Sequence, residues 1–197
     1  IVLGNAALAW IKAITAMLAT FIVLLVFKGS LGGKFAHLAG KVRPESGRMM
    51  EGLLSHTKKF FLLALAIFCG SLLLEIPGAF FAKAQRVLVL IILAQLGIWC
   101  AWLISYWVEN TIAEKKEIDP AGATGIGAIG FLLRLGLWVA VLLLALENLG
   151  FNISALLAGL GVGGIAVALA VQNILRDLFA YLTILLDKPF VIGDTID

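Results

Sequence analysis

Residues 153–173 read ISALLAGLGVGGIAVALAVQN, and the spacing of small and bulky side chains in this stretch decides how the chain is built. It is apolar throughout, and a helix needs roughly 20 such residues to cross the hydrocarbon core of a bilayer. Gly159, Gly161, Gly163 and Gly164 would each weaken a helix in water. Among lipids, small residues instead let helix backbones approach closely. Wound at about 100° per residue, Ala158, Val162, Ile165, Leu169 and Gln172 fall on one narrow stripe. Ala155, Gly159, Gly163, Ala166 and Ala170 flank it on one side, and Gly161, Gly164 and Ala168 on the other. Leu156, Leu160, Val167 and Val171 occupy the back. One small face suits one close neighbour; two small flanks suit a helix set between two neighbours of like kind, as in a ring. The stripe then faces the ring axis, with Ile165 and Leu169 about 6 Å apart along it. Apolar constrictions of this sort gate by dewetting, since ions do not cross a neck that water has left. Tight packing in a transporter core is the alternative that the pattern leaves open.

The rest of the chain fits a membrane protein. Hydrophobic residues make up 62% of the 197 positions and charged residues 14%, with a mean hydropathy of +1.08. A soluble domain carries nearly twice that charge. The formal charge of +3 is too small to suggest a nucleic-acid partner. Cys69 and Cys100 lie inside apolar runs and read as buried free thiols rather than metal ligands. No metal site or cofactor is expected. His37 and His56 stand in a basic loop without the Ser, Cys or acidic partners that catalysis would require, so no enzymatic activity is expected either. Ile1 stands at the start and Asp197 ends a strand-like run, which suggests that the sequence is a piece of a longer chain. The first apolar run lacks a basic leader and a small-residue cleavage site, and so reads as a spanning helix.

Five spanning segments are expected, at 6–27, 60–81, 87–108, 126–146 and from 153 onward; Glu75 and Pro77 interrupt the second. The loop 28–59 carries Lys28, Lys34, Lys41, Arg43, Arg48, Lys58 and Lys59 against Glu45 and Glu51. The positive-inside rule makes it cytoplasmic. Alternation then puts the N-terminus and the Lys83/Arg86 turn outside, and Lys115, Lys116, Arg176, Lys188 and the C-terminus inside. Lys12, Glu75 and Arg134 lie at or within membrane segments, where a charge is costly. Lys12 can snorkel and Glu75 is near a segment end, whereas Arg134 is well inside its segment.

Beyond the stripe the sequence changes character. Ile174, Leu175, Leu178, Phe179, Leu182, Leu185 and Leu186 recur at helical spacing beside Arg176 and Asp177, an amphipathic pattern suited to the cytoplasmic interface. Gln172 and Asn173 mark the junction and are a plausible bend. Pro189 ends the helix at Lys188, and 191–197 reads as turn and strand.

The Gly/Ala-rich helix, the ALAVQN junction, the amphipathic continuation and the DKPFVIGDTID exit together resemble the MscS family of mechanosensitive channels, as does LLRLG at 132–136, which includes Arg134. The likeness runs from about Phe131 to Asp197. It implies an all-α membrane domain whose last helix is a kinked pore helix, followed by the start of a β-rich cytoplasmic module. It further implies a homo-oligomer, a heptamer, closed by apolar rings at Ile165 and Leu169. Ala158, Val162 and Gln172 would also line the pore. Gly159, Gly161, Gly163, Gly164, Ala166, Ala168 and Ala170 would pack the ring, and Gln172 and Asn173 would form the bend. The family often has Gly at the bend, where this chain has Asn173. The implied activity is weakly selective ion conduction opened by membrane tension, which protects a cell from osmotic downshock. Membrane lipids and permeant ions are the implied partners, and a bacterial inner membrane the implied location. Residues 1–81 would be two additional helices that tune tension sensing through lipid contact. Residues 82–148 would be two tension-sensor helices, 149–188 the pore and interfacial helices, and 189–197 the β module. A secondary transporter, which would show repeated halves and a buried polar site, is the rival.

Overall fold

The computed structural model describes residues 7–31, 33, 41, 44–115 and 120–187. Among them the chain is helical, with no strand. The expected helix end at Lys188 and the turn and strand at 191–197 lie outside the described residues, as do His37, Lys34, Arg43 and Lys116. Among the described residues the α-helices are α1 Ala7–Val26, which runs into a π-helical turn Phe27–Leu31; α2 Pro44–His56; α3 Lys59–Ser71; α4 Gly78–Lys115; α5 Pro120–Asn148; and α6 Ser154–Asp187. The chain forms two compact units, Ile1–Phe151 and Asn152–Asp197. Among the described residues four stretches are long and apolar enough to cross a membrane: Ala7–Gly29, Gly78–Ala113, Gly122–Asn148 and Ser154–Ile184. They become five if the bent pair Ser46–His56 and Lys59–Ser71 counts as one span.

The second expected segment, 60–81 with an interruption at Glu75 and Pro77, is broken there, but its pieces differ from the expected bounds. α3 stops at Ser71, residues 72–77 turn, and α4 starts at Gly78 and takes up Lys83 and Arg86, which were expected in a loop. Pro77 sets the start of α4: its carbonyl accepts from the Phe80 and Phe81 N–H groups at 2.8 and 3.2 Å and so opens that helix. Glu75 lies in this turn. The resulting α4 has 38 residues, about 57 Å, well beyond a hydrocarbon core of about 30 Å.

Close backbone approach holds the first unit together. α1 packs on α3, where Ala13, Leu62, Ala66 and Gly70 are buried. A methyl on Gly70 would lie 2.9 Å from the Ala13 carbonyl oxygen. α4 and α5 form an antiparallel hairpin. Gly97 sits against Val141 and Trp138, and Gly130 against Val108, where a methyl would come within 2.5 Å of Val108 Cγ2. α3 meets α4 through Phe68 on Phe81 and an edge contact of Phe61 with Trp99. Without a hydrophobic drive between helices in lipid, small residues at crossings are how such packing is achieved. Cys69 and Cys100, expected to be buried, are both exposed. An apolar neighbourhood in sequence did not translate into burial here.

α5 ends in a Schellman motif. The Gly150 N–H donates to the Glu147 carbonyl at 2.9 Å and the Phe151 N–H to the Leu146 carbonyl at 3.0 Å. Gly150 takes φ +92°, a left-handed conformation that a side chain would resist.

Candidate pore helix

α6 begins after an Asx turn, in which Asn152 Oδ1 accepts from the Ser154 N–H at 2.9 Å. It then runs as one helix of 34 residues. Helical conformation continues through Gln172 and Asn173. A single helix makes the sequence periodicity a real surface: Ala158, Val162, Ile165, Leu169 and Gln172 share one face. Gly159, Gly163, Ala166 and Ala170 lie to one side of it, and Gly161, Gly164 and Ala168 to the other.

Within its own unit this surface is bare. Every described side chain of α6 is exposed, with Val162 at 70%, Ile165 at 63% and Leu169 at 64%. Nothing lies within 4 Å of a methyl placed on Gly159, Gly161, Gly163 or Gly164. This contrasts with Gly70, Gly97 and Gly130, whose smallness answers a neighbour in the same chain. Each helical glycine costs roughly 0.5–1 kcal/mol relative to alanine. For the four of α6 no contact within its own unit offsets that cost. Exposed apolar residues of this extent belong against lipid or another protein surface.

Arg134 reaches from α5 to α4, where its Nη1 donates to Ser105 Oγ at 2.8 Å. This answers how a guanidinium deep in an apolar segment is accommodated. Lys12 is exposed on α1, as snorkelling requires. His56 stacks near Trp102 at 5.5 Å, and its Nδ1 lies 2.9 Å from the Gly52 carbonyl oxygen. Among the described residues no group of three or more His, Cys, Asp or Glu side chains could hold a metal ion. Sequence reading passed over Gln95, which is 2% exposed in the middle of α4. The only available signal was an amide inside an apolar run.

The helices, their small-residue crossings and the glycine-rich last helix define a polytopic helical membrane protein. Comparison with known proteins gives the class a name. The family model for the mechanosensitive ion channel, transmembrane helices 2/3, matches residues 131–172. The chain is 36% identical over 177 residues to the large-conductance mechanosensitive channel MscMJLR of Methanocaldococcus jannaschii, covering 83% of this chain and 49% of that protein. It is 54% identical over 88 residues to the small-conductance mechanosensitive channel MscMJ of the same organism, covering 45% of this chain and 24% of that one. The low conductance mechanosensitive channel YnaI of Escherichia coli is 31% identical over 94 residues, 48% of this chain and 26% of that protein. No solved structure matches. The chain belongs to the MscS family. It spans about half the length, 49%, of the large-conductance relative and less of the other two.

Proposed function

We propose that the chain forms the membrane part of a weakly selective ion channel opened by membrane tension and used against osmotic downshock. The observation that carries this reading is α6. Its four glycines meet nothing within their own unit, and a continuous apolar stripe stands between its two small-residue flanks. Copies of α6 set side by side would fill both flanks and turn the stripe inward. Ile165 and Leu169 would then close the pore as apolar rings about 6 Å apart. Ala158, Val162 and Gln172 line it above and below. Gly159, Gly161, Gly163, Gly164, Ala166, Ala168 and Ala170 make the contacts between subunits. A heptamer is the assembly, with lipids around it and ions as the permeant species.

In this account α4 and α5 sense tension, and Gln172–Asn173 is where α6 bends as the pore opens or closes. The part of α6 after the bend is amphipathic and lies at the cytoplasmic interface, ahead of a β-rich module beginning near residue 191. Five crossings put the N-terminus outside and the C-terminus inside a bacterial inner membrane. The relatives reported above are channels by name, which supports conduction; a secondary transporter has no such support. The test is patch recording of the full-length protein in liposomes under graded suction. The reading requires current that rises with tension. A full-length oligomer that stays silent up to membrane rupture would refute it.

A further inference from the structure

A polar cluster lies within the first unit, where α2 gives way to α3. The two helices are bent by 71°. Such a break deprives backbone groups of the partners that a continuous helix would supply. Gln95 answers two of them: its Oε1 accepts from the Lys58 N–H at 3.0 Å, and its Nε2 donates to the His56 carbonyl at 3.2 Å. The Lys28 ammonium, just past α1, donates to the Thr57 carbonyl. Trp99, one turn along α4 from Gln95, donates to Thr57 Oγ1 at 3.2 Å, and that hydroxyl donates to the Leu53 carbonyl at 2.9 Å. A single buried amide therefore stands in for the peptide group missing from the helix. Away from water, each of these backbone groups would be costly to leave unpaired.

The two arms of the break are anchored differently. α3 packs on α1 through Ala66 and Gly70. α2 leans on α4, with Gly52 and His56 against Trp102. α2 is also amphipathic, with Met49, Met50, Leu53 and Leu54 on one face and Arg48, Glu51 and Ser55 on the other, a pattern that suits the plane of a membrane interface. Without the break, residues 46–71 would be one helix about 39 Å long, enough to cross. Straightening would return the backbone partners of Thr57 and Lys58 and leave Gln95 without either bond.

We propose that the α2–α3 break is a hinge clasped by Gln95, which swings between this bent form and a straight helix, and that the clasp thereby sets the tension response. Only the last step rests on the tension-gated reading above. A helix lying in the interface occupies membrane area that an upright one does not, so tension biases the bent form.

The hinge is tested in the full-length protein in liposomes, with Cys69→Ser and Cys100→Ser and spin labels at Met49→Cys and Ile67→Cys, two exposed positions. At 1.5 Å per residue, a 71° bend puts the labelled backbone points about 22 Å apart and a straight helix about 27 Å. Gln95→Met lengthens the distance by about 5 Å. Adding Lys59→Pro restores the short one. Proline is tolerated at the first helical position and holds Lys58 extended, the conformation it already has at φ −75°, ψ 139°. An unchanged distance in Gln95→Met, or no return with Lys59→Pro, overturns the clasp. If Gln95→Met fails to assemble, Lys28→Met decides: it removes one contact and must populate the long distance, and an unchanged distribution overturns the proposal. Suction thresholds in the same liposomes shift with Gln95→Met and return with Lys59→Pro. A constant threshold despite moving distances overturns the tension step alone. No current from the parent protein overturns the channel reading, while the distances still decide the hinge.

Discussion

Gly164 distinguishes a helix that stands alone from one packed in a ring. A methyl placed there meets nothing within 4 Å in the single chain. If α6 stood alone, Gly164→Ala would add that methyl without a clash and favour the helix by up to about 1 kcal/mol. In the ring, Gly164 lies on the flank with Gly161 and Ala168, pressed against a neighbour. Overpacking costs about 1–3 kcal/mol, so the net loss is about 0–2 kcal/mol for each subunit contact. The loss recurs at every interface of the assembly, which makes a small change per subunit visible. The contacted glycines of the first unit calibrate the effect: a methyl on Gly70 would sit 2.9 Å from a backbone oxygen, a space no rotamer change can open. Gly125, also open but on α5, is the control. The assay is thermal dissociation of the purified full-length oligomer, followed by size-exclusion chromatography. Gly164→Ala is expected to dissociate at lower temperature and Gly125→Ala to match or exceed the parent. A Gly164→Ala oligomer as robust as the parent would refute packing through both flanks.

Leu169→Ser replaces an apolar ring with hydroxyls and removes about 1.5–3 kcal/mol of apolar character per side chain; patch recordings should show a leak or a lower opening tension, and an unchanged threshold would move the closure elsewhere. Gly130→Ala sets a methyl 2.5 Å from Val108 Cγ2, and β-branched Val108 has few rotamers to offer. Its loss of about 0–2 kcal/mol, overpacking less helix propensity, should lower the thermal midpoint in detergent relative to Gly125→Ala. Ser105→Ala deprives the Arg134 guanidinium of its hydroxyl acceptor at a cost of about 1.5–3 kcal/mol. Ser105→Thr, which keeps an acceptor, should recover most of that stability in the same melt.

The first, fourth and last apolar segments were legible because a spanning helix needs only length and apolar composition, and 7–26, 120–148 and 154–187 supply both. The stripe and flanks of α6 were legible because helical period is a property of the sequence itself. The second segment was legible only in part. Hydropathy sums over residues and is blind to where backbone hydrogen bonding stops, so Glu75 and Pro77 signal an interruption of the run 60–81 but not that α4 starts at Gly78 and carries on through Lys83 and Arg86. The charged boundary at Lys58 and Lys59 was legible, but not the bend itself, because helix α2 lies inside the expected loop 28–59 and the group that stabilises the break, Gln95, comes from another helix. The same holds for Arg134, whose residue type announced a need for a partner while Ser105 is revealed only by the α4–α5 register. The exposure of Cys69 and Cys100 followed from which face of each helix found a neighbour, which apolar context does not specify.

The most direct test of the central claim is a structure of the full-length protein in lipid, read for the number of subunits around α6 and the radius at Ile165 and Leu169. The account predicts a closed ring of α6 helices with its narrowest apolar constrictions at those two side chains. The Gly161–Gly164–Ala168 flank of each subunit should lie against the Gly159–Gly163–Ala166 flank of the next. An α6 whose Ile165 and Leu169 face lipid, or a protein with no ring of α6 helices, would contradict it.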